Sequence, residues 1–224
     1  MTIVPITYFS DMLCIWAYVA QYRVNAIKAA FGDRVVFEPK FCSVFGASDR
    51  KISTTWRDKG GYKGFNAHLR QVAARFPEIP VSPDLWLTVR PASSSGPQLF
   101  LKALQLLEAD GGCAEGTADV VTWTLRRTFF EAAKDIAQWR VQCQVAEEAG
   151  VDLGAIETLV RDGRAFAALT ADFQDADALG VQGSPSFVLN DGRQKLYGNI
   201  GYKLLQANIE EVMRTPSEDQ ASWC

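Results

Sequence analysis

Tyr8-Phe9-Ser10-Asp11-Met12-Leu13-Cys14-Ile15-Trp16-Ala17-Tyr18 is the stretch on which the reading of the whole chain turns. An apolar, β-favouring run from Ile6 to Phe9 breaks at Ser10-Asp11, and a helical pattern follows from about Trp16 to Phe31. Cys14 therefore lies in a strand-to-helix turn, beside a helix N-terminus. Unpaired backbone N–H groups and the positive end of the helix dipole meet there. That setting lowers a thiol pKa and favours the reactive thiolate. The competing reading is a small buried hydrophobe, because a free cysteine is often simply packed.

Composition narrows the class. With 224 residues, 48% hydrophobic and 22% charged, the chain is long enough for one large or two small globular domains. A net charge of -3 without a basic block gives no reason to propose nucleic acid or an anionic membrane as partner. No apolar run reaches the roughly 18–20 residues that span a bilayer. The N-terminal residues lack a basic region and a small-residue cleavage site, so the expected location is the cytoplasm.

The cysteines are Cys14, Cys42, Cys113, Cys143 and Cys224, an odd set with no Cys-x-x-Cys and no zinc-type Cys/His spacing. In a reducing compartment this argues against a disulfide framework, and no metal site is expected. Cys42 and Cys143 fall in apolar-patterned segments and read as packing residues. Cys113 falls in a glycine loop. Cys224 ends a polar tail from Thr215 that is expected to be loose.

Outward from the first turn, Pro5 opens strand one, since proline is tolerated at a strand's first residue. Helix one stops at Gly32, and Arg34 to Phe41 reads as a second strand. A helix over 61–76 stops before Pro77. From Pro77 to Pro97 the chain is a long proline-studded loop. Ser93-Ser94-Ser95-Gly96-Pro97 reads as a cap for a helix from about Gln98 to Ala109, with a substrate contact as the alternative role. Helices are predicted over 117–133, 138–149, 152–161 and 164–179. Ser186 to Leu189 and Arg193 to Tyr197 form a hairpin across Asn190-Asp191-Gly192, and a last helix covers 201–214. Strands at both ends with helices between predict an α/β sheet with a helical insertion, and the helix between strands one and two fits a parallel right-handed crossover.

Val181-Gln182-Gly183-Ser184-Pro185-Ser186-Phe187, just before the hairpin, supplies a second half to the site. Four places, in their order and spacing, resemble the DsbA-like branch of the thioredoxin superfamily. They are the Cys14 turn, Asp135-Ile136-Ala137 after Phe129-Phe130, Gly183 to Phe187, and Tyr197-Gly198-Asn199. That branch includes FrnE-type oxidoreductases, 2-hydroxychromene-2-carboxylate isomerases and kappa-class glutathione transferases. The likeness runs from about Ile6 to Arg214. It implies a thioredoxin-like domain (1–60 and 180–214) interrupted by an all-helical insertion (61–179). It also implies Cys14 as the active thiol and a cis Pro185, with the Ser184 backbone facing the sulfur. Trp16 is expected beside the thiol, as a core aromatic or as a wall of a substrate groove.

Two departures from the family pattern shape the function expected. A DsbA-like enzyme would carry a second cysteine three residues on, where this chain has Ala17. Without it, an external thiol such as glutathione must complete an exchange cycle. The isomerase and kappa relatives use serine in place of Cys14, and carry an acidic residue where this chain has Asn199. Asn199 remains able to hydrogen-bond a γ-glutamyl group. The leading expectation is a single-thiol disulfide oxidoreductase, with Ser184 and Pro185 holding substrate backbone. The second is a glutathione-dependent isomerase or transferase acting on a small aromatic or enone, with Trp16, Phe45, Trp56, Trp86 and Phe100 as pocket walls. The third is a binding module that kept the groove and lost the dithiol. Relatives suggest a homodimer.

Of the remaining singular residues, Asp11 reads as a cap for the turn whose charge opposes thiolate formation. His68, the only histidine, reads as a surface or packing residue. Cys42 is too uncertainly placed by sequence to serve as a resolving thiol. The acidic positions Glu147, Glu148, Asp172, Asp175 and Asp177 read as solvated helix faces.

Overall fold

A computed structural model of the chain describes residues 3–214. The expected loose tail from Thr215, with Cys224, lies outside the described residues. Four strands form one mixed sheet in the order β2-β1-β3-β4. They are β1 (Val4–Ser10), β2 (Val35–Phe41), β3 (Ser186–Leu189) and β4 (Gln194–Tyr197). β1 and β2 run parallel, joined by α1 (Ile15–Phe31); β3 is antiparallel to β1 and to β4.

Register decides where the site lies. Ser10 pairs with Phe41 at the end of the parallel pair, and Phe9 pairs with Ser186 at the start of β3. Three loops thus converge at one edge of the sheet: the turn after β1, the loop after β2 and the loop before β3. Strand one begins one residue before the proline expected to open it. Pro5 lies ahead of Thr7, the first β1 residue paired with β3, so no ladder bond toward β3 is asked of its missing N–H.

Both sheet faces are covered. α1 and α9 (Tyr202–Met213) bring Val24, Ile27, Leu205 and Ile209 against Val4, Ile6 and Phe187. On the other face Phe9 and Val188 meet Ala176 of α8 (Arg164–Ala178). Each large side chain buried here contributes about 1.5–3 kcal/mol. The insertion is all helical. In chain order it holds α3 (Gly61–Ala73), α4 (Ser95–Ala109), α5 (Thr117–Phe130), α6 (Trp139–Glu148) and α7 (Leu153–Arg161), followed by α8. Met12, Leu13 and Ile15 of the first turn are built into its core.

Several elements differ from the sequence reading: α4 begins at Ser95 rather than about Gln98, and α5 ends at Phe130 rather than 133. α2 (Ser48–Thr55) was not anticipated, because only Ser48 and Ile52 of its eight residues are buried and one apolar residue makes no periodic pattern. α3 ends at Ala73 rather than 76, since Arg75 and Phe76 bond back three residues in a tightening turn ahead of Pro77.

Candidate active site

Cys14 is the N-cap residue of α1, and its own carbonyl accepts from the amides of Ala17 and Tyr18 at 3.1 Å. Its sulfur lies 3.2 Å from the Ser184 carbonyl oxygen, to which the thiol donates. The Ser184–Pro185 peptide is cis. The loop carrying it is held from both sides, with Gly198 N donating to Pro185 O at 2.9 Å and Ser186 Oγ to Gly183 O at 2.8 Å.

Asp11 is the hub of the site. It is fully buried. Its Oδ1 accepts from Leu13 N (2.9 Å), and its Oδ2 accepts from Val44 N (2.9 Å), Phe45 N (2.8 Å) and Ser94 Oγ (2.7 Å). Burial pushes the carboxyl pKa up, and these hydrogen bonds pull it back only in part, so the net shift is upward. Every named partner is a donor, which is the coordination of an ionised carboxylate. Asp11 N in turn donates to Ser184 Oγ at 2.8 Å. One residue therefore fixes the turn after β1, the loop after β2, the start of α4 and the proline loop.

Ser94 corrects its expected role. It is the N-cap residue of α4, but its hydroxyl makes no cap bond and goes to Asp11 instead. The neighbouring Ser93 Oγ accepts from Ser95 N at 2.9 Å.

The thiol itself also differs from expectation. Burial pushes the Cys14 pKa up, and the Asp11 charge adds to the rise. The Ser184 side chain and the amides of Ala17 and Trp16 pull the other way without prevailing. The helix N-terminus is present as the sequence indicated, but a sulfur in a residue only 5% exposed has lost most of its hydration.

Cys42 follows β2 on the adjoining loop, its amide donating to Ser10 O at 3.2 Å. It packs with Phe9, Ala176 and Val188, and burial pushes its thiol far above the ordinary range. Both Cys14 and Cys42 are free thiols. A surface cavity of about 210 Å³ passes Cys42, Val44, Phe173, Val181 and Gly183, beside the Ser184 loop.

Trp16 is half-buried against the helical core, with the Arg75 guanidinium 5.9 Å from its ring. Asn199 follows Gly198, whose amide bonds Pro185; its side-chain oxygen is buried with no partner among the described residues. The other expected pocket walls divide. Phe45, Trp86 and Phe100 are core residues, 5%, 0% and 0% exposed, and cannot face a ligand in an open pocket. Trp56 is half-buried and packs on His68 at 5.1 Å, which accounts for that histidine. Asp172 is also no solvated position. It is buried, accepts from Phe41 N and pairs with Lys102 at 3.1 Å.

The sequence reading missed Arg126 of α5. It is 1% exposed and donates to Ser10 Oγ at 2.7 Å, with a longer bond to Ala17 O at 3.5 Å. The available signal was a cation beside the buried stripe Ala118, Val121, Leu125 and Phe129.

The sequence profile of the DsbA-like thioredoxin domain matches residues 5–210. The chain belongs to the DsbA-like thioredoxin family. Similar solved structures include a Nitrosomonas europaea protein described as a candidate protein disulfide isomerase (14% identity, TM-score 0.73, covering 94% of this chain and 97% of that one). A 2-hydroxychromene-2-carboxylate isomerase follows at 16% identity and TM-score 0.67, covering 93% and 95%. The cytosolic disulfide reductase DsbM of Pseudomonas aeruginosa follows at 18% and 0.67, covering 92% and 99%. At these identities the likeness is one of fold. The curated proteins include no match. Among the described residues, no helix is long and apolar enough to cross a membrane.

Proposed function

We propose that the protein is a single-thiol disulfide oxidoreductase that uses glutathione as its second thiol. One observation carries the reading. Cys14 caps α1 with its sulfur 3.2 Å from the carbonyl that precedes the cis-proline, while Ala17 fills the place of a second cysteine. The Cys14 thiolate attacks a glutathionylated substrate, forming a Cys14–glutathione disulfide and releasing the substrate thiolate, which takes a proton. A second glutathione thiolate then attacks the glutathione sulfur of that disulfide. Oxidised glutathione leaves and Cys14 returns to the thiol. The net exchange is one mixed disulfide plus one glutathione for one thiol plus one oxidised glutathione.

The groups that lower the Cys14 pKa, namely the Ser184 side chain and the α1 amides, are those placed to receive charge on the sulfur. The resting thiol is protonated, so the exchange is slow at neutral pH and quickens as pH rises. The orphaned oxygen of Asn199 supports a glutathione site, since a γ-glutamyl ammonium can supply its donor once the side chain turns out of its buried position. DsbM of Pseudomonas aeruginosa, similar in fold, has been solved with glutathione. A cytoplasmic location suits a cycle that draws on reduced glutathione.

The test is incubation with oxidised glutathione followed by intact and peptide mass measurement. One glutathione on Cys14, removed by excess reduced glutathione and absent in Cys14→Ser, is the expected result. No adduct at millimolar concentration and high pH would sink the proposal.

A second reading is favoured by the same buried thiol, which donates to Ser184 as a serine hydroxyl would. In that reading Cys14 donates to a bound glutathione thiolate, and the enzyme is an isomerase or transferase. Cys14→Ser separates the two, abolishing disulfide exchange but sparing turnover of an electrophile with glutathione.

A further inference from the structure

The same periodicities that build the sheet and helices place a polar cavity at its seam with the helical insertion. Tyr8 and Ser10 of β1 share a face with Phe37, Pro39 and Phe41 of β2. α1 and α5 close the space above them. The cavity is about 40 Å³ and partly open, with the exposed Lys28 and Asp119 side chains at its mouth. At roughly 10–15 Å³ per water, it holds about three waters or one small ion.

Arg126 lines this cavity and carries a whole positive charge at 1% exposure. Among the described residues it forms no ion pair. Its terminal nitrogens donate to neutral acceptors, Ser10 Oγ, Ala17 O and Gln21 Oε1, and its Nε has no partner. The Tyr8 hydroxyl, on the same wall, is buried; its oxygen lies within reach of the Arg126 guanidinium, and its own O–H finds no acceptor among the described residues. It lies beside the guanidinium, and burial keeps it protonated. The nearby lysine does not change the balance, because Lys28 is paired with Asp119 at 2.6 Å. A buried charge without a contact counter-ion is costly to the fold, and two donors without acceptors add to that cost.

We propose that this cavity binds one small monovalent anion of halide size, held by the Arg126 Nε–H and the Tyr8 O–H. The one Arg126 charge, which no carboxylate among the described residues meets at ion-pair distance, sets the valence, and the volume sets the size. A multiply charged oxyanion fits neither. The anion also joins two parts of the fold, since Tyr8 comes from β1 and Arg126 from the helical insertion. The proposal does not rest on the disulfide chemistry proposed for Cys14, although Arg126 also touches Ser10 and Ala17 beside that thiol.

The test uses the full chain and sodium bromide against sodium gluconate at equal ionic strength. The wild-type melting midpoint is expected to rise steadily with the logarithm of bromide concentration, and not with gluconate. Tyr8→Phe, which removes one oxygen, is expected to weaken the apparent bromide affinity about tenfold, as the loss of one hydrogen bond to an ion does. Arg126→Met is expected to remove the dependence; if that variant does not fold, Tyr8→Phe alone decides. Crystals grown in bromide are expected to show an anomalous peak beside Arg126 Nε. Equal midpoints in bromide and gluconate, an unchanged bromide response in Tyr8→Phe, or waters alone in the cavity would each overturn the proposal.

Discussion

The Asp11 amide donates to the Ser184 hydroxyl at 2.8 Å, and that bond joins the turn of the active thiol to the loop of the cis-proline. The carboxylate of the same residue satisfies four donors. Asp11 therefore sets both the shape of the site and its charge.

Asp11→Asn separates these two effects. The side-chain amide turns its N–H groups toward existing donors, so stability falls by more than the roughly 1–3 kcal/mol expected for leaving one buried group unpaired in Ser94→Ala. The buried negative charge beside Cys14 disappears, so the thiol pKa moves down. Urea unfolding measures the first effect, and the pH profile of Cys14 alkylation the second. A profile that stayed in place would remove Asp11 from the electrostatics of the thiol.

The raised thiols predict an alkaline weakness. Cys14 and Cys42 have folded-state pKa values above the unfolded value of about 8.5. Their contribution is fully present below that pH. Above it the unfolded chain loses thiol protons first, so stability falls as pH rises toward the folded values. The urea midpoint is expected to drop between about pH 8.5 and 10. Cys42→Ala should cost about 1 kcal/mol at neutral pH and make that drop shallower. An equal slope in the variant would show that Cys42 titrates as it does unfolded.

The fold was legible where periodicity is strong. The β1–turn–α1 run, the helices after Thr117 and the Asn190-Asp191-Gly192 hairpin all appear in the structure. The left-handed backbone at Asn190, Asp191 and Gly192 is what those residue types allow at low cost. The balance of opposing forces on Cys14 was not legible. Sequence shows that a helix starts there, but not that helical-insertion residues bury the sulfur. Ser94 was misread for a related reason. A serine before a helix looks like its cap, and only the fold brings Asp11 within 2.7 Å. The placement of Arg126 against Ser10 is likewise a tertiary fact.

Ala17→Cys tests whether the missing second thiol is the reason for a single-thiol cycle. Ala17 is fully buried, so the added sulfur costs about 1–3 kcal/mol of overpacking. Oxidised glutathione should then convert the variant to an internal disulfide between Cys14 and position 17. Intact mass would show two hydrogens lost and no glutathione retained. A stable glutathione adduct instead would mean that the geometry of this turn, and not only its composition, excludes dithiol exchange.

The core placement of Trp86 and Phe45 predicts loss of stability rather than a change of specificity. Trp86 meets Phe45 at 5.5 Å and Phe129 at 5.7 Å between ring centres. Trp86→Ala should cost about 3–5 kcal/mol. At temperatures where the variant stays folded, its KM for thiol and electrophile substrates should match the wild type. A selective rise in KM with an unchanged unfolding midpoint would return Trp86 to the pocket wall.

Asn199 carries the prediction that bears most directly on glutathione. Its side-chain oxygen is buried and unpartnered, one residue beyond the amide that holds Pro185. A neutral carbonyl accepts from an ammonium, but a carboxylate in its place makes a charge-assisted bond about twice as strong. Asn199→Asp is therefore expected to lower the KM for glutathione about tenfold with little change in kcat. Asn199→Leu should raise it by a similar factor. Both effects should be absent for a small thiol without an amino group, such as 2-mercaptoethanol. If all three proteins treat the two thiols alike, the orphaned oxygen serves something other than a γ-glutamyl ammonium, and glutathione must be held elsewhere on the Ser184 loop.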